Sequence, residues 1–83
     1  MNLRDLEYVI AIDRYRNFGR AAKACNVSQP ALSAQVKKLE ERLGIEIFSR
    51  SNQKVEVTDA GNRIIAMAKE MIGAAQRIND YAA

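Results

Sequence analysis

The 83 residues include 13 lysines and arginines against 10 acids, a net charge of +3, with no histidine, no tryptophan and one cysteine. A lone cysteine excludes an internal disulfide framework, and without histidine it also excludes the common zinc sites and a histidine-based catalytic triad. Hydrophobic residues make up 48% of the chain, which suits a folded domain, while no apolar run approaches the roughly 20 residues of a membrane span. The opening Met1-Asn2-Leu3-Arg4-Asp5 lacks the charged-then-apolar pattern of a signal peptide. One small domain in a reducing compartment is expected. Its charge is unevenly placed: from Arg14 to Leu39 there is no acid, yet Arg14, Arg16, Arg20, Lys23, Lys37 and Lys38 all fall in that window. Such a stretch suits a polyanion, although a merely solvated basic face has the same composition.

Asn2 is a helix cap, with Asp5 in the first turn where negative charge is favoured. Leu3, Leu6, Val9, Ile10 and Asp13 mark one face of this first helix, and Tyr8, Ile12 and Tyr15 a second. Two stripes require two partners, within the domain or in another subunit. Arg14 to Asn17 reads as a turn. Asn17 caps a short second helix, about Phe18 to Cys25, whose small Ala21, Ala22 and Ala24 permit close helix packing. Asn26 then breaks the pattern, as a residue that tolerates left-handed backbone. Cys25, beside the alanines, reads as a buried structural thiol.

Ser28-Gln29-Pro30 is a strong helix start, because proline in the first turn sacrifices no intrahelical hydrogen bond. The helix, about 28–43, buries Leu32, Val36, Leu39 and Leu43 and ends at Gly44. Its opposite face carries Gln29, Pro30, Ser33, Ala34 and Lys37. Ile45, Ile47 and Phe48 then lead into a polar loop, Ser49 to Lys54, and Val55-Glu56-Val57 returns in strand alternation. A small hairpin with a basic tip is expected, packed on the helices because isolated hairpins are marginal.

Thr58-Asp59 starts a last helix of roughly 25 residues, about 38 Å long. Ile64, Ala68, Met71, Ala75, Ile78 and Ala82 repeat at a 3.5-residue period, the spacing of a coiled-coil seam, and Ile65 and Ile72 widen it. Met67 and Met71 read as packing residues. The division expected is 1–58 for the compact domain and 59–83 for a pairing helix.

A short helix, a turn and a capped helix with a polar outer face form a helix-turn-helix outline, and the basic hairpin makes it winged. The second helix of the pair would present amides and hydroxyls to a major groove. A protein-interaction module with a coiled-coil tail is the alternative, separable by salt-dependent duplex binding. An enzyme is disfavoured by the absence of a glycine-rich phosphate loop, histidine or framed carboxylate pair.

The run Ala21-Ala22, Val27-Ser28-Gln29-Pro30-Ala31-Leu32-Ser33, Leu39-Glu40, Leu43-Gly44, Phe48, Arg50 and Thr58-Asp59-Ala60-Gly61 resembles the LysR-type transcriptional regulators, from about Leu3 to Gly61. The last helix is similar to the family's linker helix. The opening eight residues and Cys25 resemble its peroxide-responsive subgroup. The resemblance implies a mainly α fold, a winged helix-turn-helix of three helices and a two-stranded wing followed by a long dimerisation helix. It implies sequence-specific binding of double-stranded DNA by a homodimer on an inverted repeat, in the bacterial cytoplasm at the nucleoid. It also implies a larger effector-binding domain beyond these residues, through which a small-molecule or redox effector acts and tetramers form in many full-length members. No cofactor, metal or membrane is implied for this segment.

Carried over residue by residue, the resemblance assigns Gln29, Pro30 and Ser33 to bases. Ser28, Gln35, Arg50 and Lys54 fall to phosphates or the groove beside the wing, and Lys37 joins them as a phosphate contact. The dimer seam is Ile64, Ala68, Met71, Ala75 and Ile78, with Tyr8 and Ile12 as supporting contacts. The family often has arginine where Ala34 and Gln53 stand, so two cationic contacts are missing and Lys54 is expected to compensate at the wing.

Overall fold

A computed structural model describes residues 1–51 and 54–83, apart from the side chain of Arg50. The elements run α1 (Leu3–Tyr15), α2 (Phe18–Ala24), α3 (Gln29–Leu43), β1 (Phe48–Ser51), β2 (Lys54–Val57) and α4 (Asp59–Ala82). Each helix starts on the predicted cap. Asn2, Asn17, Ser28 and Thr58 sit in extended backbone, and their side-chain oxygens accept from the backbone N–H of Asp5, Arg20, Ala31 and Gly61 respectively. At Asn2 the bond is reciprocated, because its own N–H donates to Asp5 Oδ2 at 3.2 Å and closes a capping box.

Three boundaries differ from the sequence expectation. Arg14 and Tyr15 continue α1 instead of forming a turn, and the left-handed residue that ends the helix is Arg16, at φ 49°. Its side chain folds back onto α1, donating from Nε to the Asp13 carbonyl at 2.9 Å and pairing with Asp13 Oδ1 at 3.1 Å. The second helix stops at Ala24, with Cys25 as its cap. In the hairpin, Ser49, Arg50 and Ser51 belong to β1 and Lys54 opens β2, while Ile45 and Ile47 lie in the connection before the strands. The strands are antiparallel, with Phe48 opposite Val57 and Ser51 opposite Lys54. Asn52 and Gln53 join them in sequence, so the expectation placed on Gln53 lies outside the described residues. As expected, Asn26 and Gly44 adopt left-handed backbone, at φ 62° and 67°.

The core gathers Val9 and Ile12 of α1, Ala21 and Ala22 of α2, Leu32, Val36 and Leu39 of α3, Ile47 of the connection before β1, and Ile65 of α4. Phe18 of α2 meets Phe48 of β1 edge to face, with ring centroids 6.3 Å apart, so the wing is packed on the helices. Both stripes of α1 find partners inside the protomer. Tyr8 and Ile12 are buried there and are not free to support a dimer contact, whereas Leu3 and Tyr15 at the ends of the helix stay exposed. No described helix is long and apolar enough to cross a membrane.

The first turns of α4 are locked onto the domain at Ile47. Thr58 N–H donates to the Ile47 carbonyl at 3.0 Å, and Thr58 Oγ1 donates to the Glu46 carbonyl at 2.5 Å. Gly61 lies so close that a Cβ there would collide with the Ile47 carbonyl oxygen. Glycine at this point therefore answers to close approach between helix and backbone, not to an unusual dihedral. Alanine is a better helix former by about 1 kcal/mol, yet forced overpacking costs typically 1–3 kcal/mol. Gly61→Ala is expected to lower the thermal midpoint by several degrees, measured by circular dichroism at fixed protein concentration. A midpoint equal to or above the parent value would contradict the contact.

Candidate nucleic-acid interface

α3 divides its residues by helical geometry, with roughly 100° of rotation per residue. Leu32, Val36 and Leu39 point into the core and are buried. Pro30 and Ala34 are outermost and exposed, flanked on one side by exposed Gln29 and Lys37 and half-buried Ser33. These are the residues that sequence reasoning placed opposite the leucines. Ser28 is exposed, but its Oγ already accepts from Ala31 N–H at 3.2 Å, so its hydroxyl retains a proton to donate outward. Gln35 is exposed on the other flank, in a small recess with Met1, Asp5, Lys38 and Arg42, beside the start of α1. It is thus apart from Gln29 and Ser33, on the opposite edge of the same helix.

Gln29 is also set against α2. A Cβ at Gly19 would stand 3.6 Å from its Oε1, so the first turn of α2 lies alongside the first turn of α3. Arg20 and Lys23 are exposed on α2. No salt bridge among the described residues involves Arg20, Lys23, Lys37, Lys38 or Lys54. Hence the acid-free window becomes a surface of uncommitted cations around α3. Lys54 is exposed at the start of β2, next to the hairpin tip.

Two residues that position this surface were missed by sequence reasoning. Arg4 on α1 donates from Nη2 to the Cys25 carbonyl at 2.7 Å, stacks over the Tyr8 ring with its guanidinium carbon 5.3 Å from the centroid, and pairs with Glu7 at 3.1 Å. It therefore grips the turn between α2 and α3 from a position far away in sequence. The Cys25 side chain is half-buried against the core, and burial pushes its thiol pKa up, with Arg4 a smaller opposing influence. A raised thiol pKa means little thiolate at neutral pH, in keeping with a structural role. The second residue is Glu40. Its Oε2 accepts from the N–H groups of Ile47 at 2.7 Å and Phe48 at 3.2 Å, tying the last turns of α3 to the start of the wing.

The seam expected on α4 is split by the structure. Ala68 is covered by its own protomer at 1% exposure, together with Ile65, and Ile64 packs against the core. The reason is that the first half of α4 lies on α1, where Lys69 also reaches Asp13 at 3.8 Å. A side chain buried in this way is not available to a partner. Ala75 is half-buried. Met71 and Ile78 are exposed at 45% and 68%, with Met67 and Tyr81 at 51% and 95%. Met67 and Met71, expected to be packing residues, keep about half of their surface exposed in the protomer.

Comparison with known proteins places this geometry. The sequence profile of bacterial regulatory helix-turn-helix proteins of the LysR family matches residues 3–62. A hydrogen peroxide-inducible genes activator from Haemophilus influenzae is 43% identical over 82 residues, 99% of this chain and 27% of that protein. The chain thus spans about a quarter of the length of the curated relatives it matches. Among solved structures, a full-length OxyR variant from Pseudomonas aeruginosa superposes with a TM-score of 0.94 at 45% identity, over 99% of this chain and 28% of that one. The DNA-binding domain of CbnR in complex with DNA superposes at 0.91 with 35% identity, over 99% and 94%.

The Glu40 clip is directly testable. Glu40→Ala leaves two N–H groups without their acceptor, at a cost of about 1–3 kcal/mol. Amide hydrogen exchange at Ile47 and Phe48 is expected to accelerate more than elsewhere in the core. Unchanged protection at both amides would remove Glu40 from this role. With the fold, the clip and the polar outer face of α3 in place, this chain belongs to the LysR family of bacterial regulatory helix-turn-helix proteins.

Proposed function

We propose that the chain is the DNA-reading part of a bacterial transcription regulator and binds double-stranded DNA as a homodimer on an inverted repeat. Residues 1–58 supply the reading unit and 59–83 the pairing helix. The observation that carries this reading is the outer face of α3, where Gln29, Pro30, Ser33 and Lys37 stand clear of the core on a helix fixed at both ends. CbnR and BenM domains of the same fold are described as DNA complexes, which supports the same partner here.

In this reading α3 enters the major groove. Gln29 pairs with base edges, Pro30 makes apolar contact and Ser33 completes the patch. Ser28, Gln35, Lys37, Arg50 and Lys54 hold phosphates or the groove beside the wing, and their charge gives affinity without sequence information. Alanine at position 34 removes one cation from the outermost face, so base preference leans more on Gln29. The dimer forms through the exposed part of the α4 seam, Met71, Ala75 and Ile78, and presents two copies of α3 to successive grooves. The site of action is the bacterial cytoplasm, at the nucleoid. Small-molecule or redox control, and any tetramer, belong to a part of the protein outside these residues.

Duplex binding measured across a salt series tests the reading. Affinity should fall steeply with salt, and the absence of duplex affinity at low salt would overturn it. Gln29→Ala should cost about 1–3 kcal/mol on the preferred site and relax base preference there. Arg50→Ala should weaken binding to all sequences alike and reduce the salt slope by about one. A parent-like slope in Arg50→Ala would rule out the phosphate role. Met71→Asp and Ile78→Asp should each shift the chain to monomer in sedimentation; a dimer that survives both would move the interface elsewhere.

A further inference from the structure

Gly19 is a glycine that its helix does not require. It is the second residue of α2, exposed, and its φ lies outside the left-handed region. Alanine is the better helix former at such a position. Gly61 answers to a close approach of backbone. At Gly19, by contrast, a Cβ would meet two side-chain oxygens, Asn17 Oδ1 at 3.3 Å and Gln29 Oε1 at 3.6 Å. The first is the cap of α2, which already accepts from Arg20 N–H at 2.8 Å. The second belongs to the residue placed at the bases.

Gln29 Oε1 therefore rests over a bare stretch of α2. Among the described residues, none donates a hydrogen bond to it. The chemistry of the carboxamide gives this consequence, because it has one acceptor oxygen and one donor nitrogen. In the major groove adenine shows an acceptor, N7, and a donor, its N6 amino group, so a glutamine reads it with both ends of the amide. Guanine shows two acceptors, N7 and O6, and asks only for donors. With no donor at residue 19 to hold it, Oε1 is free to turn to the amino group of adenine. A hydroxyl there would change the outcome. An oxygen one bond beyond that Cβ, turned toward Gln29, comes within hydrogen-bond distance of Oε1. The amide oxygen would then be held back against α2, with Nε2 left outward as a donor, which suits guanine.

We propose that Gly19 determines specificity: by offering no donor to Gln29 Oε1, it leaves the whole carboxamide to the base and sets the choice of adenine over guanine. The proposal rests on the base reading by α3 described above. It adds which base Gln29 takes and which residue of α2 decides it.

Duplexes selected from a random pool by the parent chain and by Gln29→Ala locate the base pair, since the preference lost in the variant marks the position Gln29 reads. Affinities for duplexes that differ at this pair alone then give the adenine-to-guanine ratio. The parent should favour adenine about tenfold. Gly19→Ala adds the Cβ without a donor and should keep the ratio within about threefold of the parent. Gly19→Ser adds the same Cβ with a hydroxyl and should lower the ratio about tenfold or more, to parity or to guanine. Each ratio is taken within one variant, so a change in folded fraction cancels. A parent preference for guanine, a serine variant with the parent ratio, or an alanine variant shifted as far as the serine one would each overturn the proposal. If Gln29→Ala changes the selected bases while Gly19→Ser does not, base reading by Gln29 stands and only the role of Gly19 fails. If Gln29→Ala changes nothing, both fail.

Discussion

Ile47 is the point on which the rest of the molecule hangs. Its side chain is fully buried in the core. Its N–H is held by the Glu40 carboxylate of α3, and its carbonyl receives the Thr58 N–H at the start of α4. Gly61 rests against the same carbonyl. One residue without regular secondary structure thus fixes α3, the wing and α4 to one another. Burying its backbone away from a strand or helix is tolerable because both polar groups have partners. The wing continues directly from it through Phe48, which is anchored on Phe18 of α2.

That junction explains how so small a domain holds a reading surface steady. α3 is gripped at its far end by the Glu40 clip. At its near end it is gripped by the turn that Arg4 holds through the Cys25 carbonyl. Between these grips the leucine and valine face is buried, so packing fixes which face of α3 points outward. A side chain such as Gln29 then pays its entropic cost of ordering from a fixed base. The net charge of +3 would be a weak attraction to DNA if spread evenly. Packing instead concentrates uncommitted cations around α3, because the acid-free window folds into α2 and α3 with the last turn of α1.

Much of this was legible in the residues. The four caps could be read because asparagine, serine and threonine oxygens satisfy the unpaired N–H groups of a helix start. Asn26 and Gly44 could be read because few other residues accept left-handed backbone. The left-handed Arg16 carried no such signal; it is held by its own contacts to Asp13. Arg4 and Glu40 act on backbone groups far along the chain, and their roles appear only when the fold brings the partners together. The start of β1 was misplaced because Ile45 and Ile47 look like strand residues, whereas their apolar character serves the core. The α4 seam is legible as a pattern, but its division between the domain and the outer face is not, for a related reason. Periodicity finds apolar positions but does not say which of them face their own domain. Ala68 and Met71 are neighbours in the pattern, yet one is buried on α1 and the other faces outward.

In the proposed function one symmetric dimer presents two copies of α3, each held by its own domain. Selection of bound duplexes from a random pool, using the chain itself, tests this most directly. The prediction is an enriched inverted repeat whose half-sites are centred about one helical turn, roughly 10 base pairs, or a multiple of it apart. Enrichment of a single unrepeated half-site would contradict the dimer. No enrichment at low salt would contradict sequence reading by α3 altogether.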